Sequence, residues 1–333
     1  MVKIRDIELG EMPLLLAPME DVSDPPFRAV CKYGGADLMY TEFVSSEGLI
    51  RSAAKSMKKL DIFEAERPIG IQIFGSEIET MVEAAKIATQ VNPDLIDINY
   101  GCPVKAVACR GAGASLLRDV DKMVHMTKAI VDATHLPVTV KTRLGWDEDT
   151  KNCEEVAERL QDIGIAALTI HGRTRVQMYK GDADWTLIGK IKENPRVHIP
   201  IFGNGDVTSP QIAVENYRRY GVDGVMIGRA SIGNPWIFNE VKHYAKTGEV
   251  PPPPDIIERV NVCRQHLLAS INWKDDYYGV VEMRRHYHSY FKGLPNFKPF
   301  REKLVREREK DVVLAMLDQI EEVYANMELE LVS

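Results

Sequence analysis

Leu95-Ile96-Asp97-Ile98-Asn99-Tyr100-Gly101-Cys102-Pro103 is a run of strand character that ends on a polar residue and enters a loop bracketed by glycine and proline. Gly101 permits a tight turn, and Pro103 stiffens the segment that carries Cys102. Seven more short apolar runs repeat this layout, at residues 14–18, 37–41, 69–74, 138–142, 167–171, 199–204 and 224–228. Longer amphipathic stretches lie between them, for example at 77–90, 120–133, 153–163 and 210–220. Eight strand-plus-helix units over about 240 residues match a TIM (β/α)8 barrel rather than an open doubly wound sheet. The expected fold class is α/β: a TIM barrel followed by a small all-helical C-terminal domain.

In a closed barrel the C-terminal strand ends converge on one face, where sites are built. Pro18-Met19, Glu42, Gln72, Asn99 with Cys102, Lys141, His171, Asn204-Gly205-Asp206 and Gly228-Arg229 all stand at such ends. Turn formation explains an Asn-Gly-Asp there, but not a lysine, a glutamine, a histidine and an arginine together. The barrel is expected over 1–247. Residues 248–254, Gly-Glu-Val followed by four prolines, read as a stiff extended linker. Residues 255–333 then show helical spacing (Val260, Cys263, Leu267, Ile271; Val313, Met316, Leu317, Ile320, Val323).

The 333 residues, 45% hydrophobic and 27% charged, exclude disordered and low-complexity classes. Forty-two basic residues against 49 acidic ones give −7, which argues against a strongly basic nucleic-acid coat or a membrane-surface binder. Cys31, Cys102, Cys109, Cys153 and Cys263 show no paired spacing. Neither a zinc site nor a disulfide framework is expected, and reduced thiols are. No metal is expected either, since no His-x-His or bridging carboxylate cluster stands at the strand ends. The N-terminal residues lack a signal-peptide pattern, and no run approaches the roughly 18 apolar residues of a membrane span. A soluble, cytoplasmic monomer is the expectation.

The pattern I-D-I-N-Y-G-C-P-x3-V-x5-G-A resembles the signature of the tRNA-dihydrouridine synthases, flavoenzymes that reduce uridine in RNA. Ala17-Pro18-Met19, Gln72, Lys141-Thr142-Arg143-Leu144-Gly145-Trp146, His171-Gly172-Arg173-Thr174-Arg175, Asn204-Gly205-Asp206 and Gly228-Arg229-Ala230 follow in that family's order and spacing. The resemblance spans nearly the whole chain and is closest in detail to the bacterial B-type subfamily. One departure is Ala106-Val107-Ala108-Cys109-Arg110, where relatives carry more polar or basic residues.

The resemblance implies FMN as cofactor, NADPH as electron donor and tRNA as substrate, with hydride going from reduced FMN to uracil C6. Cys102 would be the general acid that protonates C5. That chemistry needs a positioned, protonated thiol rather than an activated thiolate. Lys141 would set a cation beside the flavin N1/O2 edge, and Gln72 can donate and accept at a ring edge. His171 would hydrogen-bond the flavin or lie near it. Asn204, Gly205, Asp206, Gly228 and Arg229 follow the last two barrel strands, where phosphate is often bound. Pro18, Met19 and Glu20 would form the adjoining wall. Asn99 and Lys105 would bind the RNA substrate, and Arg173 and Arg175 would hold the flipped uridine nucleotide.

Against the acidic whole, residues 284–310 hold nine basic and three acidic side chains, a net of +6. Arg284, Arg285 and Lys298 are candidates there for RNA phosphates, and the interleaved aromatics suit stacking on unpaired bases. Ribosomal RNA is an alternative target. The nearest rival activity is an FMN barrel oxidoreductase on a small pyrimidine, such as a dihydroorotate dehydrogenase-like enzyme. An RNA-binding protein without catalysis is a rival from a different class.

Overall fold

The computed structural model describes residues 1–104, 107 and 109–325 of the chain. Eleven strands are described: β1 (Val2–Ile4), β2 (Ile7–Gly10), β3 (Leu14–Leu16), β4 (Met39–Tyr40), β5 (Val44–Ser45), β6 (Ile69–Phe74), β7 (Leu95–Asn99), β8 (Val138–Arg143), β9 (Ala167–His171), β10 (Ile201–Asn204) and β11 (Gly224–Ile227). The order β3-β11-β10-β9-β8-β7-β6-β4 is parallel throughout, with short β5 paired to the end of β6. The ring closes between β3 and β4. Asp37 N–H donates to the Leu14 carbonyl (2.8 Å), Leu16 N–H donates to the Leu38 carbonyl (2.9 Å), and Leu15 bridges Leu38. This is the TIM barrel expected from the strand count, and helices follow it at the C-terminal end of the chain.

Alternation along each strand divides the core in two. Outward residues such as Ile69, Ile71, Ile73, Ile96, Ile98, Val138, Val140, Leu168 and Ile170 are fully buried under the helices. Inward, an apolar layer of Leu15, Leu38, Tyr40, Leu95, Ala167, Phe202 and Met226 packs with Ile4 and Leu9 of the antiparallel β1–β2 hairpin. The hairpin therefore plugs the end at which the strands begin. Above that layer the inward residues turn polar: Gln72, Asp97, Asn99, Thr139, Lys141, Thr169, His171 and Asn204.

Helix ends follow their local chemistry. Asp24 and Ser209 cap helices Pro25–Tyr33 and Pro210–Tyr220, each of which has proline in its first turn. Gly221 (φ 60°) and Gly248 (φ 78°) end helices Pro210–Tyr220 and Ile237–Thr247 in the left-handed region. Five helices follow: Ile256–Trp273, Asp276–Glu282, Arg284–Tyr290, Lys298–Leu304 and Lys310–Tyr324. They dock on helix Pro25–Tyr33, where the Phe27 ring lies 5.1 Å from His286 and 5.8 Å from His266. Lys274 Nζ, 2.5 Å from both Asp24 and Glu282, ties the same junction.

Two expectations for this region are corrected. His286, Tyr287, Tyr290, Phe291 and Phe297 are buried in the helical core and Phe300 is half-buried, so these rings pack against each other and the barrel and are not free to stack on bases. Val323, placed in the core by its spacing, is exposed.

Candidate active site

The C-terminal strand ends open into a cavity of about 1300 Å³. It brings together Pro18, Met19, Glu20, Asn99, Cys102, Lys141, His171, Asn204, Gly205, Asp206, Gly228 and Arg229, drawn from six different strand ends. The C-terminal helices and the segment before them supply a further wall through Pro253, Pro254, Arg259, Tyr290 and Lys292.

Cys102 is 6% exposed and faces this space. Burial pushes its thiol above the ordinary cysteine range, while Arg143 and Lys141 pull the other way. The group therefore stays a thiol at neutral pH. Its loop is pinned from below, because Asn99 Oδ1 accepts the N–H groups of Gly101 (2.9 Å) and Cys102 (2.8 Å). Asn99 Nδ2 donates to Gln72 Oε1 (2.8 Å). Gln72 Nε2 donates to Asp97 Oδ2 (2.5 Å), and Thr139 Oγ1 donates to Asp97 Oδ1 (2.5 Å). Gln72 is thus fully buried beneath the cavity with its amide engaged, and it does not line the wall.

Lys141 is half-buried, and its ammonium has no hydrogen-bonded or ion-paired partner among the described residues. Burial, then the nearby Arg143 charge, pull its pKa down to about 8, opposed by Asp97 and Cys102. Burial raises Asp97 to about 6 despite the bonds from Gln72 and Thr139. His171 is held well below the usual histidine range by burial and by four cations, Lys141 first among them, so it is neutral. A neutral imidazole offers one donor and one acceptor.

The loops after β10 and β11 carry Gly205 and Arg229. Gly205 has φ 123°, and a Cβ there would stand 2.6 Å from Ala183 Cβ and 3.0 Å from His171 Cδ2. Asp206 accepts from Arg173 (2.6 and 2.9 Å), Arg229 (3.1 Å) and the Ala183 N–H (2.8 Å). Its carboxylate is thus the anchor of this rim rather than a donor to an anion. Arg229 is 60% exposed, lies 5.1 Å from the centre of the Tyr179 ring and remains able to meet an anionic group.

Several substrate candidates lie elsewhere. Arg173 is buried and committed to Asp206, Gly181 and Lys180, so it holds the β9 loop together and is closed to a nucleotide. Arg175 rests 4.7 Å from the Trp146 ring centre, off the cavity wall. Arg284 is half-buried and donates to the carbonyls of Arg306 (3.3 Å) and Glu307 (2.9 Å). Arg285 and Lys298 are exposed on the helical part, outside the cavity. Lys105 lies outside the described residues, as do Ala106 and Ala108.

Residues not singled out beforehand also shape the site. Arg143 Nε donates to the Gly101 carbonyl (2.7 Å) and Nη1 to those of Thr174 and Met178 (3.0 Å each), which braces the cysteine loop through a carbonyl where Asn99 holds its N–H groups. Tyr179 lines the mouth near His171 and Arg229. A strand-end arginine was visible in the Lys-Thr-Arg run. An exposed tyrosine in a loop gave no signal. Glu20, Asp21 and Glu42 place carboxylate oxygens within 4.8 Å of one another, a group not anticipated from the strand ends. Lys59 Nζ stands beside it, 2.6 Å from Glu20 and 3.6 Å from Glu42.

Among the described residues no helix is long and apolar enough to cross a membrane. A similar barrel occurs in morphinone reductase in complex with tetrahydroNAD (TM-score 0.51, 13% identity, 72% of this chain and 88% of that one), which bears on the fold alone. Residues 15–327 match the family model described as dihydrouridine synthase (Dus). The tRNA-dihydrouridine synthase B of Pseudomonas putida is 42% identical over 289 residues, 86% of this chain and 85% of the relative. That of Xanthomonas axonopodis pv. citri is 41% identical over 303 residues, 91% of each. With the family model matching nearly end to end and relatives aligned over most of both chains, this chain belongs to the dihydrouridine synthase family.

Proposed function

We propose that the protein reduces uridine to 5,6-dihydrouridine in tRNA, using FMN as its flavin and NADPH as the source of electrons. The observation that carries this reading is Cys102, buried at the wall of a cavity large enough for a flavin and a uracil, in a chain of this family; that burial favours the protonated thiol. The relatives' names give tRNA as what they act on.

The residues present fit FMN. The Lys141 ammonium projects into the cavity with its bonding capacity free among the described residues, and suits the electron-rich edge of a reduced isoalloxazine. Gly205, Gly228 and Arg229, after the last two strands of the ring, suit its phosphate. When bound and reduced, FMN supplies the hydride for C6. The protein's part is orientation and one proton. Cys102, on the cavity wall, holds that proton at Sγ and delivers it to C5. The thiolate left behind is stabilised by Arg143 and Lys141, both of which favour the anion at this sulfur, and takes its next proton from solvent. A stacked uracil cannot enter a barrel mouth, so the target nucleotide is extruded. Exposed Arg285 and Lys298 would meet RNA phosphates.

Purified, flavin-loaded protein with NADPH should form dihydrouridine in transcribed, unmodified tRNA and turn over free uridine or orotate poorly. Turnover on orotate, with none on tRNA, would favour the small-pyrimidine reading instead.

A further inference from the structure

The chain of amides beneath the cysteine loop has a direction, and one residue sets it. We propose that Asp97 is a positioning residue that orients Gln72 and Asn99 so that an amide oxygen, rather than an amide nitrogen, meets the backbone N–H groups of Gly101 and Cys102. The proposal rests on the reading of Cys102 as the proton donor.

A carboxylate only accepts, whereas a primary amide can turn over and exchange its donor and acceptor ends. Asp97 is 1% exposed, so solvent cannot supply its donors. It faces Gln72 across one pair of strands and Thr139 across the next. Gln72 must therefore present Nε2 to Asp97 (2.5 Å), which leaves Oε1 to accept from Asn99 Nδ2 (2.8 Å). That bond leaves Asn99 Oδ1 for the N–H groups of Gly101 and Cys102. Asn99 lies two residues beyond Asp97 on β7, hence on the same face one layer nearer the mouth. Without a fixed acceptor at position 97, either amide can turn, and a turned Asn99 would set N–H against N–H beneath Cys102. The loop carrying the thiol would then lose these two N–H anchors and keep only the Arg143 bond to the Gly101 carbonyl among its described side-chain braces. Thr139 cannot set the direction, because its hydroxyl rotates to suit its partner.

Asp97→Asn tests this at nearly constant shape. Losing the loop anchors should lower kcat on tRNA by about tenfold to a hundredfold, leaving KM within about twofold. The second readout needs neither flavin nor turnover: the rate at which iodoacetamide alkylates Cys102 in the folded protein, resolved by mass spectrometry. It should change severalfold in Asp97→Asn while thermal unfolding stays cooperative. The decisive variant is Asp97→Asn with Gln72→Glu. A carboxylate at position 72 accepts from the new amide on one side and from Asn99 on the other, so it restores the direction beyond it. That double variant should return the alkylation rate towards wild type. If Asp97→Asn does not fold, the double variant carries the test alone, and its wild-type alkylation rate is the expected result. Wild-type alkylation and kcat in Asp97→Asn would overturn the proposal, as would a double variant no closer to wild type than the single one. Absence of dihydrouridine from the wild-type reaction would count against the proposed function instead, with the alkylation comparison still reading the relay.

Discussion

Lys141 and Cys102 share a cavity but respond to pH in different ranges, and that separation makes their roles distinguishable. The lysine titrates near 8 because burial and Arg143 disfavour its charge. Burial moves the thiol upward from an ordinary value of 9.0. As pH rises the lysine therefore loses its cation before the cysteine loses its proton. Turnover should decline through about pH 8 on this account. Lys141→Met should lower kcat by about a hundredfold, the scale for loss of one preorganised charge, and should remove that limb from a kcat–pH profile. An unchanged limb in Lys141→Met would assign it to another group. Cys102 and Lys141 were legible in the sequence because their types are out of place at turns and strand ends. Asp97 was not, because an acid between two isoleucines in a strand reads only as an alternation. Its burial between Gln72 and Thr139 depends on which strands are neighbours. Arg173 misled for the converse reason: its partner Asp206 lies 33 positions away in the chain, so the pairing is invisible until the barrel closes.

At the scale of elements, periodicity located most of the barrel. Strands β6, β7 and β9 begin and end where their apolar runs do, and helices Val120–Ala133 and Pro210–Tyr220 fall within their predicted bounds. The β1–β2 hairpin escaped notice although Val2, Ile4, Ile7 and Leu9 carry an apolar pattern, because two runs of three and four residues are too short to stand out. Its importance comes from what it covers. Ile4 and Leu9 close the inner apolar layer at the end of the barrel away from the site. Leu9→Ala should cost about 2–5 kcal/mol, the usual range for such a truncation in a packed core, while kcat at low temperature stays within about twofold. Equilibrium denaturation in urea beside a turnover assay reads both. Equal stability would mean that the hairpin is peripheral. The Tyr287, Tyr290, Phe291 and Phe297 rings show the opposite failure. Their spacing is that of a helical core, and the basic residues between them made the same spacing look like a stacking platform.

Over the whole molecule, the charge of −7 is compatible with the proposed nucleic-acid substrate only through the placement of basic residues, not through the total. Exposed Arg285, Lys292, Lys298, Lys303, Arg306 and Arg308 all lie in the helical C-terminal part, and Lys292 also lines the cavity. Arg284 is set apart by its bonds to the carbonyls of Arg306 and Glu307. Replacing Arg285 and Lys298 with alanine should therefore weaken tRNA binding and flatten the plot of log K against log salt by about 0.7–0.9 per lost phosphate contact. Arg284→Ala should lower stability and leave that slope unchanged. Filter binding across a salt series separates the two, and an unchanged slope in the double variant would move the RNA track elsewhere. Dihydrouridine synthesis with Cys102 as the source of the C5 proton is the reading proposed for this barrel. It is tested most directly by incubating wild-type and Cys102→Ala protein, both loaded with flavin, with NADPH and unmodified tRNA, and quantifying dihydrouridine by mass spectrometry. Product is expected from the wild type and, from the variant, intact flavin binding and NADPH oxidation with product reduced by at least about a hundredfold; equal dihydrouridine from both would contradict that role of Cys102.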